Sequence, residues 1–60
     1  MSIAYRFYVM GDGDRILANE LMSFADDTAA HGQGETLLAS TAGAKAVEVW
    51  ERARLVHRVE

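Results

Sequence analysis

Ile3-Ala4-Tyr5-Arg6-Phe7-Tyr8-Val9-Met10-Gly11-Asp12-Gly13-Asp14 is the stretch on which the fold turns. Successive side chains of a strand point to opposite faces. Ile3, Tyr5, Phe7 and Val9 therefore share one face, and Ala4, Arg6, Tyr8 and Met10 the other. The first set is wholly apolar or aromatic, which marks a strand with one face in a core. The Asp12-Gly13 pair that follows favours a tight hairpin, because both central positions of such a turn take positive φ. A two-residue loop there sets Val9 opposite Ile16, Phe7 opposite Ala18, Tyr5 opposite Glu20 and Ile3 opposite Met22. A second strand over roughly residues 15–22 follows from that register.

Further along, the alternation stops at Ser23 to Ala25, and Asp26-Asp27-Thr28 supplies the capping oxygens and negative charge that a helix N-terminus favours. The expected helix runs from Asp27 to Ser40, with Ala30, Gly34, Leu37, Leu38 and Thr41 on one side at the helical period. A glycine inside a helix costs up to about 1 kcal/mol. Close approach to the Tyr5/Phe7 face accounts for Gly34, whereas Gly32 points away and leaves a break at His31 to Gly34 open as an alternative. Thr41-Ala42-Gly43-Ala44 reads as the exit, with Gly43 suited to a left-handed turn.

Residues 46–51 and 55–59 form the third and fourth strands. A three-residue loop, Arg52-Ala53-Arg54, sets Val47 opposite Val59, Val49 opposite His57, Glu48 opposite Arg58 and Trp50 opposite Val56. That register pairs unlike charges and places an aromatic beside a β-branched partner. The order ββαββ describes one α+β domain over residues 1–60, a four-stranded antiparallel sheet with the helix on one face.

Laid out this way, the chain resembles a group of short uncharacterised bacterial proteins of unknown function. Tyr5-Arg6-Phe7-Tyr8, the Asp12-Gly13 turn and Val47-Glu48-Val49-Trp50 carry the resemblance. Two features depart from the group's pattern: Arg52 stands where a turn glycine is usual, and Gly32 and Gly34 interrupt a helix usually richer in alanine and charge. The resemblance implies a fold and no activity.

With 60 residues, no cysteine and no proline, the chain has no disulfide to supplement its core. A domain of this size buries only about 60% of the surface its unfolded chain exposes, so stability gained by association is expected. The lack of cysteine excludes thiolate chemistry and fits a reducing, cytoplasmic setting. Six basic against nine acidic residues leave a net charge of -3, which disfavours non-specific attraction to nucleic acid and to anionic membrane. No apolar run approaches the length of a spanning helix, so no membrane partner is expected.

Several constellations carry residue types used in metal, phosphate or nucleophilic chemistry. Asp27, His31 and Glu35 recur at helical spacing and could share one flank, but Gly32 loosens the backbone that would have to hold a metal, and a solvated helix face is the preferred reading. Gly11-Asp12-Gly13-Asp14 lacks the later ligands of a calcium loop, with Ser23 where the closing glutamate would stand. His31-Gly32-Gln33-Gly34 lacks the strand and lysine of a phosphate loop. Neither His31 nor His57 is placed to activate a serine. No catalytic residue, cofactor or metal is expected, and a non-enzymatic role follows.

The informative surface is the sheet face turned away from the helix. Arg6, Tyr8, Met10, Leu17, Leu21, Trp50, Val56 and Arg58 are expected there. Trp, Tyr, Met and Arg are enriched where proteins meet proteins. The expected partner is a second copy, as a homodimer or higher assembly, or a larger protein. A single-stranded nucleic acid stacked on Tyr8 and Trp50 is the alternative, and the negative net charge ranks it second.

Overall fold

The computed structural model describes all residues from Met1 to Glu60. Strand β1 (Ile3–Met10) leads through a short 3-10 turn (Asp12–Asp14) into β2 (Ile16–Phe24), then helix α1 (Asp27–Ser40), β3 (Ala46–Glu51) and β4 (Arg54–Val59). The strands form one antiparallel sheet in the order β2-β1-β3-β4, with the helix on one face. This is the ββαββ, α+β architecture expected from the chain. No helix is long and apolar enough to cross a membrane.

The core lies between helix and sheet. Tyr5, Phe7 and Val9 of β1 and Val47 and Val49 of β3 are fully enclosed, and Ala30 and Leu37 cover them from α1. These are the alternate residues of two neighbouring central strands, so the period of the pleat sets the core directly. Asp26 caps the helix: its side chain accepts from the Ala29 N–H at 2.9 Å. The helix is continuous across Gly32, so the alternative of a break is not realised.

Gly34 does face the sheet, but its neighbours differ from those expected. A Cβ at Gly34 would lie 3.1 Å from Val49 Cγ2 and 3.2 Å from Val59 Cγ2, not against Tyr5 and Phe7. The reason is lateral placement: α1 lies chiefly over β3 and β4.

Both hairpins are corrected by a bulge. In the first, Gly13 and Asp14 take left-handed φ of 67° and 59° in the turn. Val9 then pairs with Ala18, Phe7 with Glu20, Tyr5 with Met22 and Ile3 with Phe24. The register is displaced by two residues from the one a two-residue loop would set, and β2 extends to Phe24 instead of ending near residue 22. Packing explains the shift, because it brings Phe24 under the sheet against Tyr5 (ring centroids 6.4 Å apart) and Phe7 (5.9 Å, edge to face). Leu17 is the extra residue of the bulge between the Val9–Ala18 and Met10–Ile16 pairs.

In the second hairpin Arg52 and Ala53 alone form the loop, with Glu51 paired to Arg54. Arg52 adopts φ of 55°, the conformation a turn glycine would supply without strain. Val56 is the extra residue here: Trp50 pairs with Leu55, not Val56, and below the bulge the expected Val49–His57, Glu48–Arg58 and Val47–Val59 pairs are restored.

Candidate interaction surface

Alternation places the remaining side chains of the central strands on the open sheet face. One row across the sheet runs Leu21, Arg6, Trp50, Leu55, and the next runs Asn19, Tyr8, Glu48, Arg58. Met10 and Ile16 pair beyond them. Arg6, Tyr8, Met10, Leu21 and Trp50, all anticipated on this face, together line a depression of about 590 Å³ that is open to solvent. Ala4, Ile16, Glu48, Arg52 and Ala53 complete its lining.

Two anticipated members lie elsewhere. Val56 packs against the core cluster on the helix side, because the bulge gives it an extra position in β4 that breaks the alternation. Leu17 leans over the hairpin end, where its side chain would be 3.2 Å from a Cβ on Gly11, and Ile16 takes the place in the depression. A bulge moves one residue out of phase, and a one-residue slip exchanges faces. The missed lining residue Glu48 was legible, since it alternates with Trp50. Ile16 was not, since nothing local announces the bulge.

The charges on this face are already engaged. Arg58 donates to Glu48 Oε2 at 2.7 Å, to Glu60 Oε2 at 2.8 Å and to Asp14 Oδ1 at 3.1 Å, and approaches Met10 Sδ at 3.8 Å. Those carboxylates, Glu60 foremost, push the guanidinium above its ordinary range. Glu48 also accepts from Trp50 Nε1 at 3.1 Å, so one carboxylate orients the indole and holds the arginine. Arg6 is different: its guanidinium donates to the neutral amide oxygen of Asn19 at 2.8 Å. Apolar side chains surround these groups, with Leu21 60% and Ile16 56% exposed.

On the opposite side, the His31 and His57 rings lie 3.9 Å apart, centroid to centroid, joining α1 to β4. The Asp27, His31, Glu35 set does not converge. Asp27 is held by Tyr5 and Arg54, Glu35 stands 3.9 Å from His31, and no group of three or more His, Asp or Glu side chains gathers around a common point.

Comparison of the chain with protein-family models, with characterised proteins and with solved structures finds no match.

Proposed function

We propose that this chain is a small non-enzymatic interaction or assembly module that docks through the sheet face away from its helix, with a second copy of itself as the first partner. The observation that carries this reading is the composition of the depression. Trp50, Tyr8, Met10, Leu21 and Ile16 form an apolar floor, while Arg58 is matched by carboxylates of its own chain. Aromatic and methionine side chains at the centre with paired charges at the rim match the anatomy of protein interfaces. A standard interface takes about 800 Å² from each partner, roughly a fifth of the 3826 Å² this chain exposes. The sheet face, with Leu21, Ile16 and Leu55 exposed, supplies apolar surface for it.

Single-stranded nucleic acid is the second reading, supported by one observation: Arg6, free of any carboxylate, sits between Leu21 and Trp50 and next to Tyr8 along β1. Base stacking uses such neighbours. Against it, a phosphate approaching Arg58 would meet Glu48, Glu60 and Asp14.

Light scattering coupled to gel filtration at micromolar concentration tests the proposal. The expected mass is at least twice the 6.6 kDa of one chain, and Trp50→Ala is expected to lower it with the circular dichroism of the folded chain retained. A folded monomer at high concentration would sink self-association, leaving docking on a different protein.

A further inference from the structure

Beyond the sheet face, the two sheet edges differ in a way that bears on assembly. The β4 edge is short, lies under α1 and carries Arg54 and Arg58, both tied by ion pairs within the chain. Edges of that kind resist further pairing. The β2 edge has none of these protections. It is nine residues long, contains neither proline nor lysine, and Glu20 is its only charge. The helix lies chiefly over β3 and β4, and no residue of β2 is fully buried beneath it.

We infer that the β2 edge pairs with the β2 edge of a second copy, antiparallel about a two-fold axis through Leu21, extending the sheet from one chain into the next. Geometry selects that axis. The bulge at Leu17 disturbs one end of the strand and leaves Ala18 to Phe24 as an unbroken ladder, whose middle residue is Leu21. Pairing about Leu21 uses that whole segment. Leu21 then faces its own copy, Glu20 faces Met22, Asn19 faces Ser23 and Ala18 faces Phe24. No like charges meet. An axis one residue earlier would set Glu20 against Glu20, which is unfavourable directly across a ladder. An isologous two-fold contact requires such self-complementarity. Its backbone bonds lie at the sheet edge, and of the side chains it opposes only Leu21 also lines the sheet-face depression.

The chain has no cysteine, which makes cross-linking site-specific. Directly opposed residues of an antiparallel pair have Cα atoms about 4.5–5.5 Å apart, within disulfide reach. Leu21→Cys is expected to oxidise to a covalent dimer, and a mixture of Glu20→Cys with Met22→Cys chains to give the mixed dimer in excess over either homodimer. Glu20 and Met22 lie on the helix side of β2, so a dimer built only on the far face cannot produce that mixed product. Glu20 is exposed, and its variant keeps the fold testable should Met22→Cys lose stability; Glu20→Cys alone is expected to cross-link poorly. Absence of the mixed dimer while circular dichroism shows both chains folded would overturn the edge pairing, whatever mass the wild-type chain shows. Efficient Glu20→Cys homodimers would place the axis at Glu20 and overturn this register.

Discussion

The Tyr5 hydroxyl, at the centre of the buried sheet face, donates a 2.7 Å hydrogen bond to Oδ1 of Asp27, the first residue of α1. Arg54 reaches the same carboxylate from β4, at 3.2 Å to Oδ2 and 3.3 Å to Oδ1. One carboxylate thus ties β1, β4 and the helix N-terminus together, where the helix dipole also favours a negative charge. The Arg54 hydrogen bond, and after it that of Tyr5, hold Asp27 below the usual carboxylate range. Burial first, then the bond to Asp27, push Tyr5 up to about 12.

The first prediction follows from those two directions. A depressed carboxylate contributes stability that is fully present above its unfolded value and is lost as pH falls through the lower folded value. A raised phenol contributes stability that is present below its unfolded value and is lost as pH rises through about 12. Melting temperature should therefore fall on the acid side of the ordinary carboxylate range. Asp27→Asn should melt lower at neutral pH and show a flatter acid limb, and Tyr5→Phe should lose the alkaline part and, because its hydroxyl also helps hold Asp27 down, flatten the acid limb in part. An acid limb unchanged in Asp27→Asn would remove Asp27 from the account.

The two helix glycines should respond oppositely to substitution. Nothing lies within 4 Å of a Cβ at Gly32, so Gly32→Ala should stabilise by up to about 1 kcal/mol through helix propensity. At Gly34 the new side chain would meet Val49 and Val59, and Gly34→Leu should destabilise by about 1–3 kcal/mol through overpacking. Urea melts of both variants check this, and a Gly34→Leu chain as stable as wild type would mean the helix does not lie on β3 and β4.

Arg52 holds a left-handed turn conformation, which costs an L-residue with a side chain roughly 1–2 kcal/mol. Its side chain is 93% exposed and makes only a loose contact with Glu51, 3.6 Å away. Arg52→Gly is expected to raise stability by up to about 1 kcal/mol, the extra freedom of glycine in the unfolded chain offsetting part of the relief. A lower denaturation midpoint would show that the arginine supplies more than the strain it carries.

Strand number, helix limits and most of the core were legible, because each rests on a local pattern: the alternation from Ile3 to Met10, Asp26 ahead of the helix, and the Val47/Val49 pair, although Ile3 itself, expected on the core face, is exposed. The bulges at Leu17 and Val56 were not. Each spends one residue without changing the strand's composition, and its position is decided by what the rest of the strand packs against. Phe24 reaches Tyr5 and Phe7 only in the bulged register, a long-range gain invisible in the turn residues. Ile16, Leu17 and Val56 depart from simple alternation for that one reason, while Arg6, Tyr8 and Trp50, on the regular strands β1 and β3, lie where alternation puts them.

The register itself yields a prediction. Phe24 should act as a core residue and Ile16 as a surface one. Phe24→Ala is expected to cost about 2–4 kcal/mol, below or near the lower end of the range for fully buried aromatics because the ring is only half-buried. Ile16→Ser should change monomer stability by less than about 1 kcal/mol, in keeping with a surface position. The reverse order of effects in denaturant titrations would restore the two-residue hairpin register.

Trp50 separates the two readings of the sheet face. Its indole is half-buried and donates to Glu48, so in an isolated chain part of the ring meets water. If the face is covered by a second chain, emission is blue-shifted at high concentration and moves red on dilution, and Trp50→Ala weakens association while the secondary structure stays. In a nucleic-acid binder the emission is independent of protein concentration and is quenched by short single-stranded RNA, with quenching lost as salt rises. Loss of the stacked indole would then cost about 1–3 kcal/mol of binding per base. Glu48→Gln sharpens the comparison, because it removes one of the carboxylates holding Arg58. It should leave a protein interface little stronger or weaker, but it should raise RNA affinity if phosphates compete for that arginine. Concentration-independent emission together with RNA quenching strengthened in Glu48→Gln would reverse the ranking of the two functions.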